Sequence, residues 1–334
     1  MGTILSIRDA RALAKACMVA VGHTDAEAET IADHLIDCEL RGLSFGGLPR
    51  ALSIIERIQQ TTTPRRAIEL VRETPVSASL DGGDQVGYLV ARQATDIAIE
   101  KAKTTGLAVV GASNTWYTGM FSYYLEMVTK AGLAGMIAGS GGPIVAPHGG
   151  TEGRFSTNPI AFGFPSATSP VIWDIGTSSV MLGEVMLQQR LGGTLPEGLA
   201  FAPDGQPTRD PGAALAGAFT VWGGHKGSGL SLVVQLLGMM AGQTTAPRGV
   251  SDCGFLILVV DPELLTSAKD FRQRVSDYAD SVRSTRPVDP DSPVRVPFDR
   301  SLAERSRRLS ENTIEVPNEV YDALLRVSGK SATA

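Results

Sequence analysis

Apolar and polar positions follow two different rhythms along this chain. In the N-terminal part, apolar side chains such as Ala28, Ile31 and Leu35 recur every three or four positions, which is typical of the buried face of a helix. Ser6 and Thr24 each precede such a run and have an acid three residues later, a spacing that favours a helix N-terminus. The pattern predicts N-terminal helices over residues 6–21, 24–42 and 51–59.

From residue 66 onward, short apolar runs of strand length alternate with longer stretches of helical spacing. The predicted strands cover residues 67–72, 77–80, 107–110, 133–138, 160–164, 171–173 and 255–260. The predicted helices cover residues 85–104 and 121–130, a segment after Thr177, a segment from Lys226, the run from Asp261 to Val282, and two segments of the tail. The helix from Lys226 is expected to bury Leu230, Val233, Val234 and Leu237. Asn318 is expected to cap the last helix.

This alternation predicts a mixed α/β (α+β) protein. Residues 1–65 are expected to form a helical cap that packs with C-terminal helices in residues 300–334, and residues 66–299 an α/β region. The chain of 334 residues is 43% apolar and 19% charged, as in a soluble globular protein. Its net charge of -5 gives no reason to expect a nucleic acid or an anionic membrane as partner.

The longest apolar runs are too short to span a bilayer, and the N-terminus lacks the apolar core of a signal peptide. A cytoplasmic location is therefore expected. Cys17, Cys38 and Cys253 show no metal-binding spacing and are interpreted as buried thiols of a reducing compartment. No cluster of histidines and carboxylates has metal-ligand spacing, so no metal site is predicted.

Two glycine-rich stretches indicate a binding site. Residues 139–184 combine glycines with the small polar side chains of Ser156, Thr157 and Asn158, and residues 223–229 form a second such stretch. Irregular connections held by side-chain turns are the alternative interpretation of the first stretch. The sequence contains no dinucleotide fingerprint of the G-x-G-x-x-G type, no P-loop and no G-x-S-x-G elbow.

Charged residues near these stretches suit an anionic ligand. Lys226 and His225 stand where a loop enters a helix, a place that attracts a phosphate, although a solvated lysine is the commoner case. Arg50 follows a glycine-rich turn, where its fork-shaped guanidinium could bind a carboxylate or remain a solvated charge. Arg295 and Arg300 are either further cationic contacts or surface charges, and His23 and His34 are interpreted as structural or surface residues.

Several of these motifs together resemble the non-Rossmann (type 2) malate/L-lactate dehydrogenase family: Thr157-Asn158-Pro159, residues 171–178 and residues 223–227. Residues 195–198 and 204–208 are most similar to its ketimine reductases, which act on piperideine-2-carboxylate and pyrroline-2-carboxylate. The resemblance covers nearly the whole chain. It implies a non-Rossmann NAD(P)-binding fold, a homodimer, and hydride transfer to a C=O or C=N bond beside a carboxylate.

The resemblance also implies roles for individual residues. Arg50 and Thr157 match substrate-binding positions, and Glu184 matches the acidic residue of the catalytic relay. Positions that match cofactor-binding residues are Tyr117, Thr118, Gly119, Met120, Phe121, Trp173, Asp174, Ile175, His225, Lys226, Arg295, Pro297 and Arg300.

The chain departs from the family at the catalytic pair. The relay serine and histidine of the family fall on Phe45 and Gly46, which would border the substrate, and Ser44 could substitute only through a shift of register. A second family histidine, in the cofactor loop, is replaced by Tyr117. The usual proton relay is therefore absent from this sequence.

The departure favours an imine substrate. Reduction of a ketone needs a proton donor for the developing alkoxide, whereas an imine can bind already protonated. The sequence predicts an NADPH-dependent (NADH possible) reductase of a cyclic imine carboxylate, with Glu184 stabilising the cation and Tyr117 or His148 as a polar anchor. A 2-oxo acid/2-hydroxy acid dehydrogenase and a dinucleotide-binding pseudoenzyme are the two alternatives.

Overall fold

The N-terminal helices begin at the residues that the capping pattern predicts. In the computed structural model, which describes residues 2–245, 247 and 249–329, Ser6 accepts a hydrogen bond from the backbone N–H of Asp9 at 3.1 Å. Thr24 and Glu27 form a reciprocal capping box. The helices are α1 (Ile7–Ala20), α2 (Asp25–Leu40), α3 (Leu48–Gln60), α4 (Gly87–Thr105), α5 (Phe121–Lys130), α6 (Leu182–Arg190), α7 (Pro211–Ala216), α8 (His225–Met240), α9 (Ala268–Arg283), α10 (Asp299–Glu311) and α11 (Asn318–Ser328).

The strands form one large sheet and two small ribbons. They are β1 (Gly2–Ser6), β2 (Glu69–Thr74), β3 (Ser77–Val86), β4 (Leu107–Trp116), β5 (Ala134–Ser140), β6 (Ile160–Phe164), β7 (Val171–Ile175), β8 (Ala200–Phe201), β9 (Ala218–Phe219), β10 (Gly254–Val260) and β11 (Thr313–Pro317). The large sheet has the order β2-β3-β4-β10-β5-β6-β7, and among its pairs only β3 and β4 run parallel. A Rossmann sheet is mostly parallel, so the mixed, non-Rossmann fold is confirmed.

Helices cover the sheet and also form a separate layer. α1, α2 and α3 pack with α11 and the β1–β11 ribbon around a shared apolar core that includes Ile31, Ile54 and Leu324. α4 and α5 pack on the large sheet around a second core. A third, smaller core lies under the loops of residues 145–221. In this layout the turn between α2 and α3 contacts α6 as well as its two flanking helices.

The buried Arg41 fixes that turn relative to α5. Its fully buried guanidinium bonds Asp37 at 2.6 Å and Glu126 of α5 at 2.5 Å, and Arg305 of α10 pairs with Glu126 at 2.9 Å. Removing one partner of such a buried pair costs about 3–5 kcal/mol because the other charge is left uncompensated. The network therefore holds the start of the loop that carries residues 42–47 in one position.

Three expectations about elements are wrong, and one ribbon was missed. The run after Asp261 is not one helix. Asp261 caps a single 3-10 turn. The helix α9 begins separately after Ser267, because the side chain of Ser267 provides a second cap. Val233 is 48% exposed and does not share the buried face of Val234 on α8. Asn318 is not the cap of α11: it follows the Pro317 cap, and its side chain accepts a hydrogen bond from Thr3. The strands β1 and β11, which pair with each other, were not predicted at all.

Candidate active site

Arg50 lies in the first turn of α3, with its guanidinium over the ring of Tyr117. The guanidinium carbon is 4.3 Å from the ring centroid, and Nη1 is 3.7 Å from the sulfur of Met186. None of the salt bridges among the described residues includes Arg50. A half-buried guanidinium that stacks on an aromatic ring and has no carboxylate partner is suited to bind a ligand carboxylate through two parallel hydrogen bonds.

Gly183 lets α6 approach this guanidinium. A Cβ at this position would run into Nη2 of Arg50 and would lie 3.0 Å from the ring of Phe45. Because glycine has no side chain, the first turn of α6 contacts both residues at the same time. Glu184, the next residue, is exposed in that first turn.

Tyr117 occupies a strained backbone conformation in the loop between β4 and α5. Its φ of 51° is in the left-handed region, which aromatic residues rarely adopt. Burial raises the pKa of its phenol, and Arg50 offsets only part of that shift. Tyr117 is therefore a neutral hydrogen-bond donor near pH 7, and its hydroxyl lies 3.9 Å from the sulfur of Met186.

His34 supports this loop from below. Its Nε2 accepts a hydrogen bond from the backbone N–H of Met120 at 2.9 Å, and its ring stacks on Tyr88 with centroids 4.3 Å apart. Burial lowers the pKa of His34 to about 3, so the imidazole is neutral and free to accept. A Cβ at Gly119 would collide with both rings. The loop therefore lies flat on a buried pair of rings.

Asp174 holds the other end of the loop. Its carboxylate accepts a hydrogen bond from the backbone N–H of Ser122 at 2.8 Å, and so caps α5, whose own N-cap residue Met120 supplies no side-chain hydrogen bond. Burial raises the pKa of Asp174. This predicted cofactor residue is thus already engaged in shaping the loop. The neighbouring Phe121 is fully buried, so only its backbone could meet a cofactor.

The turn of residues 44–47 rests on a buried acid. Ser44 to Gly46 form a single 3-10 turn, and Gly47 packs so closely on Glu39 that a Cβ there would collide with the carboxyl group. Oε1 of Glu39 accepts a hydrogen bond from the backbone N–H of Leu48 at 2.7 Å. Burial raises the pKa of Glu39 to about 7, although the nearby Ser44 and Arg308 act against the shift. Ser44 thus lies next to this acid.

The segment with Thr157 is held by a buried amide network. Asn158 is fully buried with a φ of 37°, and its side-chain amide donates to the backbone oxygen of Ser231 at 2.8 Å. The backbone N–H of Thr177 donates to the oxygen of Thr157 at 2.9 Å. These bonds join the segment to β7 and α8, and they explain the polar residues that the sequence concentrates here.

A second polar cluster gathers at the start of α8. The rings of His148 and His225 lie 6.3 Å apart, and the backbone N–H of His148 donates to Ser228 at 3.2 Å. Gly223 and Gly224 both have positive φ and lead the chain into the helix, where Lys226 is exposed. The two glycine-rich stretches therefore meet, and the first turn of α8 presents backbone N–H groups and a positive charge to an anion.

The remaining predicted cofactor residues are more scattered. Trp173 is 40% exposed and stacks on Phe162 at a centroid distance of 6.3 Å. Arg295, Pro297 and Arg300 are exposed, and the segment between them is fastened by Asp299, which binds Arg283 at 2.7 Å. No observed contact joins this described segment to Trp173 or to His225, so its assignment stays a prediction.

The sequence pattern of the malate/L-lactate dehydrogenase family matches residues 5–325. The chain belongs to this family. Delta(1)-pyrroline-2-carboxylate reductase of Ancylobacter novellus is 32% identical over 332 residues, with 96% of each chain covered. L-sulfolactate dehydrogenase of Methanothermobacter thermautotrophicus is 30% identical, with 94% of this chain and 93% of the relative covered. The crystal structure of a dehydrogenase from Sinorhizobium meliloti superposes with a TM-score of 0.91 at 31% identity, covering 98% of each chain.

Membership of the malate/L-lactate dehydrogenase family makes the protein an oxidoreductase that uses a nicotinamide dinucleotide. The structure fits such a cofactor. The N-terminus of α8 with Lys226 suits a phosphate, and the space beside Gly149 and Gly229 is open, since a Cβ at either glycine would meet no atom within 4 Å.

The two cavities elsewhere in the described chain are weaker candidates for a ligand site. Two cavities of about 170 Å³ lie away from Arg50; one is lined by Arg57, Asp84 and Trp116, and the other by Tyr123 and Glu126 among others. Arg57 already binds Asp84, and Glu126 binds Arg41, so these charges are compensated. Within residues 2–245, 247 and 249–329, no group of three or more acids, histidines or cysteines could hold a metal ion. No helix there is long and apolar enough to cross a membrane.

Sequence reasoning missed three residues of the site. Met186 and Gly183 contact Arg50 directly, and His34 carries the loop of Tyr117. A glycine in the first turn of a helix was a usable signal for Gly183, because glycine is unfavourable there without a packing reason. Nothing in the sequence distinguishes Met186 from an ordinary core methionine. The burial of His34 confirms its interpretation as a structural residue and excludes a surface position.

Proposed function

We propose that this protein is an NADPH-dependent reductase of a cyclic imine carboxylate. The observation that carries the proposal is Arg50, a guanidinium with no acidic partner that stacks on Tyr117 beside a turn without histidine. Arg50 provides the carboxylate-binding site, and the surrounding ring of Tyr117 and thioether of Met186 suit a small apolar ring. The similarity to a Delta(1)-pyrroline-2-carboxylate reductase supports this substrate class.

In the proposed mechanism the protein binds and orients more than it transfers protons. Arg50 and Thr157 hold the substrate carboxylate, and the neutral phenol of Tyr117 donates a hydrogen bond to that carboxylate. Glu184, exposed next to Gly183, stabilises the positive charge of a protonated imine. Because an iminium carbon accepts hydride without a further acid, the missing serine–histidine pair is no obstacle.

The cofactor is proposed to lie across the two glycine-rich stretches and the loop of residues 117–121. Lys226 and the N-terminus of α8 would hold a phosphate, and Arg295 and Arg300 would add the positive charge that favours NADPH over NADH. When bound, the reduced nicotinamide supplies the hydride. His34 and Asp174 keep the loop in place for this contact.

We also propose a cytoplasmic homodimer. The exposed apolar side chains of α8 offer a surface for a second copy, and they include Leu232, Val233, Leu236 and Met240. The buried thiols of Cys17 and Cys38 suit a reducing compartment.

The test is NADPH oxidation followed at 340 nm against a panel of cyclic imine carboxylates and 2-oxo acids. We expect turnover of imines that rises as the pH falls towards protonation of the substrate. Arg50→Ala should raise KM for imines by about 100-fold, since a bidentate charged contact is lost. Tyr117→Phe should change imine turnover by less than about 10-fold, because no proton is drawn from the phenol.

The alternative is a 2-oxo acid/2-hydroxy acid dehydrogenase, which the similarity to an L-sulfolactate dehydrogenase favours. In that case Tyr117, whose hydroxyl lies beside Arg50, is the best-placed proton donor. Turnover of 2-oxo acids that disappears in Tyr117→Phe would establish this alternative and refute the imine proposal. Binding of NADPH without turnover of either class would favour a dinucleotide-binding pseudoenzyme.

A further inference from the structure

Met186 occupies the place where the donors of Arg50 and Tyr117 converge. Its sulfur is 3.7 Å from Nη1 of Arg50 and 3.9 Å from the hydroxyl of Tyr117. A thioether is a weak acceptor, whereas a guanidinium and a phenol are strong donors. Both donors therefore point at an atom that satisfies them poorly.

The backbone around Met186 is held at both ends of α6. At the start of α6, Gly183 contacts Arg50, and at the end of the helix Arg190 binds Glu56 of α3 at 2.8 Å. The methionine side chain has three rotatable bonds and adapts its position at little cost. It can leave the two donors without any movement of the helix.

We propose that Met186 is a displaceable cover of the carboxylate site, and that it sets the affinity for carboxylate substrates. Its thioether shields Arg50 and Tyr117 in the free enzyme and moves aside when a carboxylate takes both donors. A charged acceptor replaces a weak neutral one in this exchange, so binding remains favourable. The inference rests on the proposed role of Arg50 as the carboxylate site.

The cover makes affinity depend on the acceptor strength of residue 186. Met186→Leu, close in volume but without an acceptor, should bind carboxylate as tightly as the wild type or up to about 3-fold more tightly. Met186→Gln offers a strong neutral acceptor and should weaken binding about 5-fold. Met186→Glu places a permanent carboxylate on Arg50 and should weaken binding about 50-fold or more.

The measurement is calorimetric titration of pyridine-2-carboxylate and of pyruvate into the NADPH-saturated protein, with no turnover of the first ligand. Gln189→Glu is the matched control, because it adds the same charge to an exposed position one turn along α6. This control should change affinity by less than about 2-fold, since an exposed charge is screened. The affinity for NADPH should be equal in all variants.

The outcomes separate this inference from the proposed function. A rise in Kd in the order Leu, Met, Gln, Glu supports the cover. Equal affinities across the three Met186 variants, with binding still lost in Arg50→Ala, would overturn the cover and leave the carboxylate site in place. The same holds if Leu weakens binding as much as Gln, because that pattern reports packing alone. A wild-type protein that binds neither carboxylate would overturn both proposals.

Discussion

The buried carboxyl group of Glu39 makes the protein less stable as the pH rises. Burial raises its pKa from 4.5 to about 7 in the native state, while the unfolded chain keeps the ordinary value. Between these two values the unfolded state loses the proton and the native state retains it, so increasing pH favours unfolding. One pKa unit corresponds to about 1.4 kcal/mol, so the native state is penalised by about 3 kcal/mol above pH 7.

Glu39→Gln removes this penalty and keeps the local structure. The amide oxygen can accept the hydrogen bond from the backbone N–H of Leu48, which the carboxyl oxygen now accepts at 2.7 Å. The amide cannot ionise. We expect the variant to be close to the wild type in stability at pH 5 and to gain about 2–3 kcal/mol relative to it by pH 8.

The assay is urea unfolding followed by circular dichroism at pH 5, 6.5 and 8, at one protein concentration in case subunits associate. Glu100→Gln is the control, because the side chain of Glu100 is 76% exposed. Its effect on the free energy of unfolding should be within about 0.5 kcal/mol at each pH. A difference between Glu39→Gln and the wild type that is the same at pH 5 and pH 8 would refute the reasoning.

Two further predictions concern the residues that shape the site. Burial lowers the pKa of His34 to about 3. The wild type should therefore lose about 2 kcal/mol of its free energy of unfolding through His34 as the pH falls from 7 to 5. In the same urea assay, His34→Gln should not show this pH dependence. If the free energy of unfolding of His34→Gln depends on pH as steeply as that of the wild type, this prediction is wrong. Gly183→Ala should fold with a stability within about 1 kcal/mol of the wild type, since alanine suits a helix. The added Cβ should displace the guanidinium of Arg50 and raise the KM for the imine at least about 10-fold. The Kd for NADPH should change little. A KM equal to that of the wild type would show that Arg50 does not bind substrate in this position.

Much of the fold could be predicted because its signals are local. Ser6 and Thr24 cap helices through residues three positions away, and the burial of Ile31 and Leu35 follows from helical spacing alone. The β1–β11 ribbon could not be found in this way. It pairs residues more than 300 positions apart, such as Thr3 with Val316, and each strand is too short to be recognised without its partner.

The parts of the site that depend on residue type could be predicted from the sequence, and the parts that depend on contacts between distant elements could not. Glycines and small polar residues marked the segments of Asn158 and Gly224, which the structure brings together at α8: Asn158 bonds Ser231 of this helix, and Gly224 is its N-cap residue. The contact of Met186 with Arg50 depends on how α6 crosses α3, which no local pattern encodes. The same is true of Asp174, whose carboxylate caps α5 at Ser122, 52 positions earlier in the chain.

The packing around the turn of residues 44–47 shows which of its two glycines the fold requires. Gly47 must be glycine, because a Cβ there would collide with the carboxyl group of Glu39. Gly46 is different: its φ is not in the left-handed region, and a Cβ would lie at an ordinary 3.4 Å from the sulfur of Cys38. A Cβ at position 46 would therefore fit without backbone strain. Folding therefore does not demand glycine at this position, and the proposed hydride transfer to a protonated imine would need no acid there.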